Sequence, residues 1–171
     1  RHGYFKLLAT GLNIRYLNDN PVIPFYFKGE LIYYQLKVAY PNKLPKFMSR
    51  DLPYFSPPIK HKPCYIIEHG DNKKFVISEG TFDAIADLIL YPDRTPVAIL
   101  GSSITEYQIS MIRTYVPEDI LVYMDDTELS IKVAEKLSRY INYADIHIQP
   151  SNGTDPEEYL KYKISIRNEI L

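Results

Sequence analysis

The sequence predicts an α/β protein, a parallel four-stranded sheet with helices on both faces, preceded by a small basic α+β subdomain. Two observations carry this. From residue 74 onward, apolar runs of strand length alternate four times with stretches of helical periodicity, and such alternation implies parallel strands joined by right-handed crossovers. Before that, Pro41, Pro45, Pro53, Pro57, Pro58 and Pro63 make up six of the chain's 13 prolines, a density incompatible with helix interiors or central strands. The boundary therefore falls at this connector, with residues 1–63 as the basic subdomain and residues 64–171 as the α/β domain with its C-terminal helix.

Residues 1–20 carry a weak helix signal, and Asn18-Asp19-Asn20-Pro21 reads as a turn. Val22 to Phe27 and Leu31 to Tyr40 are β-branched and aromatic runs around Lys28-Gly29-Glu30, a hairpin signature. Phe75-Val76-Ile77 is a strand of the fully buried kind, followed by a helix over Phe82 to Leu90. Val97 to Leu100 is the second strand, and Thr105 caps a helix reaching Tyr115. Ile120 to Met124 is the third strand; a helix over about Glu128 to Tyr143 then aligns Val133, Ala134, Leu137, Tyr140 and Ile141 on one face. Ile146-His147-Ile148 is the fourth strand, and Asp155-Pro156 opens a final helix toward Ile170.

At 171 residues, 46% hydrophobic and 24% charged, the chain is long enough for a sizeable core and lacks the composition of disorder. No apolar run approaches the roughly 20 residues that span a bilayer, so no membrane partner is expected. The single cysteine, Cys64, excludes an internal disulfide framework and fits a reducing, cytoplasmic setting. The chain opens on Arg1 with no secretory leader, and is read as a trimmed piece.

The overall charge of −1 conceals a split. Residues 1–62 carry 10 Lys or Arg against three acids, and residues 63–171 carry the other 10 against 18, giving +7 and −8. A basic segment joined to an acidic one suits a protein that holds phosphates with one part and cations with the other. Tyr26, Tyr33, Tyr34, Tyr40 and Tyr54 interleave with the lysines, a pattern open to base stacking and to packing of half-buried strands alike.

In open α/β sheets the working groups gather beyond the carboxyl ends of the strands. Those positions read Ser78-Glu79-Gly80, Gly101-Ser102-Ser103, Asp125-Asp126-Thr127-Glu128 and Gly153-Thr154-Asp155-Pro156-Glu157. Three of four strand ends bring carboxylates to one rim, and the fourth offers a Gly-Ser-Ser turn with free N–H groups. Carboxylates converging without lysines repel one another unless a cation sits between them, and oxygen ligands favour Mg2+ or Mn2+ over zinc. The competing reading is that Asp125 and Asp155 only cap the helices after them.

The segment Val76-Ile77-Ser78-Glu79-Gly80-Thr81-Phe82-Asp83-Ala84 resembles the first motif of the Toprim domain. Ala98 to Thr105 resembles its Gly-Thr turn, Val122-Tyr123-Met124-Asp125 its aspartate strand, and Asn152 to Glu158 the Gly-x-Asp-Pro-Asp element of DnaG-type primases. Upstream, Ile23-Pro24-Phe25-Tyr26, Tyr34-Gln35-Leu36-Lys37 and Leu44-Pro45-Lys46-Phe47-Met48-Ser49 are similar to the basic subdomain of bacterial and tailed-phage primases. The ordered set covers most of residues 22 to 160. One position departs: Thr127 stands where the family's third motif has a second aspartate.

The resemblance implies a Toprim-like sheet and the RNA-polymerase core of a DNA primase, making RNA primers for DNA replication by Mg2+- or Mn2+-dependent nucleotidyl transfer. It implies Asp125, Asp155 and Glu157 as metal ligands, and Glu79 as a ligand or acid/base group. Asp126 and Glu128 are the possible substitutes for the missing aspartate. Lys37, Lys46 and Arg50 would hold template or NTP phosphate. Single-stranded DNA, NTPs and a replicative helicase are the partners implied, in a bacterial cytoplasm or phage-infected cell; the family's usual zinc-binding module is not expected among these residues. The alternative is a noncatalytic Toprim module for nucleic-acid binding or replisome docking.

Overall fold

The computed structural model describes residues 11–44, 54–69 and 71–151, together with Pro156 and Tyr159. The chain forms two compact units, Arg1–His61 and Lys62–Leu171.

The first unit holds an antiparallel sheet in the order β1-β2-β3-β4, formed by β1 (Arg15–Leu17), β2 (Asn20–Phe27), β3 (Glu30–Lys37) and β4 (Tyr54–Phe55). The hairpin read from the sequence is present: Lys28 and Gly29 both have positive φ, 50° and 82°, the two-residue turn whose twist matches the flanking strands. Asn18 and Asp19, at 48° and 64°, make a second such turn. That turn folds Arg15–Leu17 back onto β2 as a strand, where the sequence carried a weak helix signal; all three residues are exposed, so no alternation revealed it.

Fully buried Asn20 fastens the far end of the hairpin. Its Oδ1 accepts the N–H groups of Ala39 and Tyr40 at 2.8 and 2.7 Å, and its Nδ2 donates to the carbonyls of Asn18 and Tyr40. Of the interleaved tyrosines, Tyr33 is buried edge-on to Phe25 with its hydroxyl on the Pro57 carbonyl, whereas Tyr26, Tyr34 and Tyr40 are exposed. Pro41–Lys43 forms one 3-10 turn. Lys46 and Arg50 lie outside the described residues.

The second unit is built on a five-stranded sheet in the order β5-β7-β6-β8-β9. Its strands are β5 (Tyr65–Ile66), β6 (Asp71–Ser78), β7 (Arg94–Ala98), β8 (Asp119–Val122) and β9 (Asp145–Ile148). Between them run α1 (Thr81–Leu90), α2 (Glu106–Arg113) and α3 (Thr127–Tyr140). The four predicted strands are parallel, and β5 adds an antiparallel edge beside β7. Phe75, Val76 and Ile77 in β6 are fully buried, as a strand covered on both faces requires. Each helix begins within a few residues of its expected start. α3 ends at Tyr140, whose ring is exposed with its hydroxyl on Glu106 Oε1, while Ser130, Val133, Ala134, Leu137 and Ile141 face the core.

The strand order fixes the layers. β6 connects to β7 on one side, whereas β7 connects back past β6 to β8 and on to β9. Right-handed crossovers therefore set α1 on one face and α2 with α3 on the other. Hydrogen bonds from Lys136 to the Ile104 carbonyl and from Tyr140 to Glu106 join α3 to the start of α2, as neighbours on one face must be. Cys64 is fully buried and burial pushes its thiol pKa up, so it packs as an apolar side chain. Pro156 and Tyr159 are helical, while Asp155 and Glu157 lie outside the described residues. Among the described residues no helix is long and apolar enough to cross a membrane.

Candidate functional site

The connections leaving β6 and β8 run to opposite sides of the sheet, so the carboxyl ends of these neighbours flank the crevice where α/β sheets bind ligands. Ile77 pairs with Val122, and the ladder extends one step as Tyr123 donates its N–H to the Ile77 carbonyl at 2.8 Å. Glu79 leaves β6 and Asp125 leaves β8 just past this last rung.

Each acid is held by its backbone. The Glu79 carbonyl accepts the N–H groups of Leu100 and Gly101 at 2.7 and 3.3 Å. Those amides, the start of the turn after β7, are therefore engaged, unlike the sequence expectation of a turn with free N–H groups at Gly101. Leu100 takes a left-handed φ of 60° to make this approach, a conformation costly for a bulky side chain and concentrated at functional sites. Its own carbonyl receives Lys62 Nζ. Nothing in the sequence singled out Lys62 from the other basic residues of the connector; the pairing across 38 residues is a tertiary feature.

Gly80 starts α1, where the Asp83 carboxylate accepts its N–H at 2.8 Å. A Cβ at Gly80 would stand 2.8 Å from that same Asp83 oxygen, so a larger residue here would displace the capping carboxylate. Across the crevice, the buried Ser130 hydroxyl accepts the Met124 N–H at 3.0 Å and fixes the turn that carries Asp125. Asp126 caps α3 by accepting the Glu128 N–H at 2.6 Å, and the Glu128 side chain is exposed.

Burial, and secondarily the charge of Asp125, raise the Glu79 pKa above the ordinary carboxylate value. The Asp125 charge thus opposes ionisation of Glu79, a repulsion that a hard cation relieves. Among the described residues, however, no group of three or more His, Cys, Asp or Glu comes together in a form that could hold a metal. As oxygen donors, Glu79 and Asp125 fit a hard divalent ion in donor chemistry. Lys37, half-buried at the end of β3, belongs to the first unit.

The family described as Toprim-like matches residues 76–160, which run from β6 past β9. Over this stretch, just under half of the chain, the sequence is similar to that family. The fold of these residues is that of the Toprim domain of DnaG-type primases. The crystal structure of the Aquifex aeolicus primase, comprising zinc-binding and RNA polymerase domains, superposes with a TM-score of 0.60 at 19% identity, over 87% of this chain and 39% of that one. The primase fragment of the bacteriophage T7 primase-helicase protein gives a TM-score of 0.56 at 13% identity, over 97% of this chain and 69% of that one. A chain from the structure of T7 lagging-strand DNA polymerase interacting with primase domains bound to an RNA/DNA hybrid and dTTP gives 0.58 at 13% identity, over 96% and 84%. At these identities the likeness is one of fold, and this chain spans well under half the length of the Aquifex chain. No curated protein matches the sequence.

Proposed function

We propose that this chain is the RNA-polymerase core of a DNA primase, with residues 1–63 as its basic subdomain and residues 64–171 as its Toprim domain. The observation that carries the reading is the placement of Glu79 and Asp125 at the ends of neighbouring strands where the strand order reverses, with burial and the Asp125 charge raising the Glu79 pKa. The primase structures that share the fold support it.

In the proposed reaction a primer 3'-hydroxyl oxygen bonds to the α-phosphorus of an incoming NTP as the bond to the pyrophosphate leaving group breaks. Glu79, with a raised pKa, is suited to take the hydroxyl proton. Asp125, Asp155 and Glu157 would hold Mg2+ or Mn2+, with Glu79 as a further ligand if it is not the base, and the ion when bound would supply charge stabilisation for the attacking and leaving oxygens. Lys37, Lys46 and Arg50 would contact template or NTP phosphates. Single-stranded DNA and NTPs are the proposed substrates, a replicative helicase the proposed partner, and the cytoplasm of a bacterium or phage-infected cell the proposed setting.

The test is template-directed dinucleotide synthesis with Mn2+ on single-stranded DNA. Activity that Glu79→Gln abolishes without unfolding the protein supports the assignment, and a fully active Glu79→Gln protein overturns it. The second reading, a noncatalytic Toprim module, draws on Thr127, which has no carboxylate to add to the rim. It predicts DNA binding with no metal-dependent synthesis on any template.

A further inference from the structure

Thr127 opens α3 two residues after Asp125, half-buried, at a helix start that Asp126 already caps. Its hydroxyl is used elsewhere. Thr127 Oγ1 accepts the N–H of Ser151 at 3.3 Å and lies 3.4 Å from the Ser151 hydroxyl, with Ser151 only 4% exposed. Ser151 stands three residues beyond the end of β9. On the way to it, Gln149 donates to the Val122 carbonyl at 2.9 Å and prolongs the sheet by one rung. The segment leaving β9 is thereby fastened to the β8 side of the crevice twice, once through Gln149 on β8 and once through Thr127 beside Asp125.

A second acid at this position would add a negative charge beside Asp125, a repulsion that a cation relieves. A threonine hydroxyl is neutral and can accept one hydrogen bond while donating another, so it joins the two strand ends with no ion present. We propose that Thr127 is a positioning residue, a latch that fixes the segment after β9 against the turn bearing Asp125 and so holds that turn, with its carboxylate, in place. The metal-related part of this proposal rests on the reading of the rim given above; the latch itself does not.

The experiment compares the intact chain with Thr127→Val, which keeps shape and loses the hydroxyl, and Thr127→Ser, which keeps the hydroxyl. Hydrogen exchange is followed over residues 149–151, and Mn2+ binding by electron paramagnetic resonance. With both variants folded by thermal melt, Thr127→Val should exchange faster there by about 3- to 10-fold, the loss of one ordinary hydrogen bond, and bind Mn2+ more weakly by a similar factor. Thr127→Ser should restore both. Unchanged exchange in Thr127→Val overturns the latch. Faster exchange with unchanged Mn2+ affinity overturns the positioning role. A wild-type chain that binds no Mn2+ while the exchange difference persists refutes the metal reading and leaves the latch supported.

Discussion

Asp87 offers the most demanding energetic test of the fold. It sits on α1 with no exposed surface beside the Ser78 hydroxyl, and neither its carboxyl oxygens nor that hydroxyl makes a hydrogen bond of ordinary geometry among the described residues. Burial raises its pKa well above the ordinary carboxylate value, Ser78 offsets part of that, and Asp83 adds to it. The folded chain therefore holds the Asp87 proton at pH values where the unfolded chain, with a carboxyl pKa of about 3.9, has released it. The sign follows. Because the native state binds one more proton, this group lowers stability as pH rises, by about 1.4 kcal/mol per pH unit, between the unfolded and folded pKa values. Asp87→Asn removes the titration with little change in volume. Urea unfolding of both proteins at pH 5, 6 and 7 should show the variant gaining on wild type by about that slope, so that two units amount to about 3 kcal/mol where the folded pKa lies above the range. A difference between the two proteins that is independent of pH would refute an uncharged Asp87.

Three other outcomes follow from the same geometry. Asp125→Asn removes a charge that opposes ionisation of Glu79, so an NMR titration of Glu79 should show its pKa falling toward the ordinary value; an unchanged titration would mean that the two do not interact. Arg94 grips Asp119 with two hydrogen bonds, 2.9 and 2.7 Å, at the opposite end of the sheet and holds its pKa below the usual carboxylate value. This stabilisation is present above the unfolded carboxyl pKa and lost as pH falls through the folded one, so Asp119→Asn should cost about 1–2 kcal/mol at neutral pH and progressively less in acid, measured by denaturant unfolding. Asn20→Ala strands four backbone groups around a fully buried site and should cost about 2–4 kcal/mol, read from the midpoint of the same unfolding transition.

The core of the fold was legible because it depends on local chemistry. Phe75-Val76-Ile77 reads as a strand buried on both faces, Gly29 supplies the left-handed residue that a hairpin turn needs, and Thr105 announces a helix cap by residue type, which Gln108 completes in the structure. What the sequence concealed depends on partners distant in the chain. β1 is exposed throughout, so no alternation marks it, and β5 is a two-residue edge that exists only because β7 is beside it. At the site, Glu79 and Asp125 were readable as acids following apolar strands, and their adjacency follows from the strand order. The Lys62 contact with Leu100, the left-handed Leu100 itself and the bond from Thr127 to Ser151 have no local signature, because each joins segments that only tertiary structure brings together.

Mn2+ titration of the wild-type chain beside the Glu79→Gln, Asp125→Asn double variant tests most directly whether the crevice between β6 and β8 is a cation site. Saturable binding that the double variant loses, while its melting temperature stays at or above that of wild type, is the predicted result. Equal binding by both proteins, or none by the wild type, would contradict it.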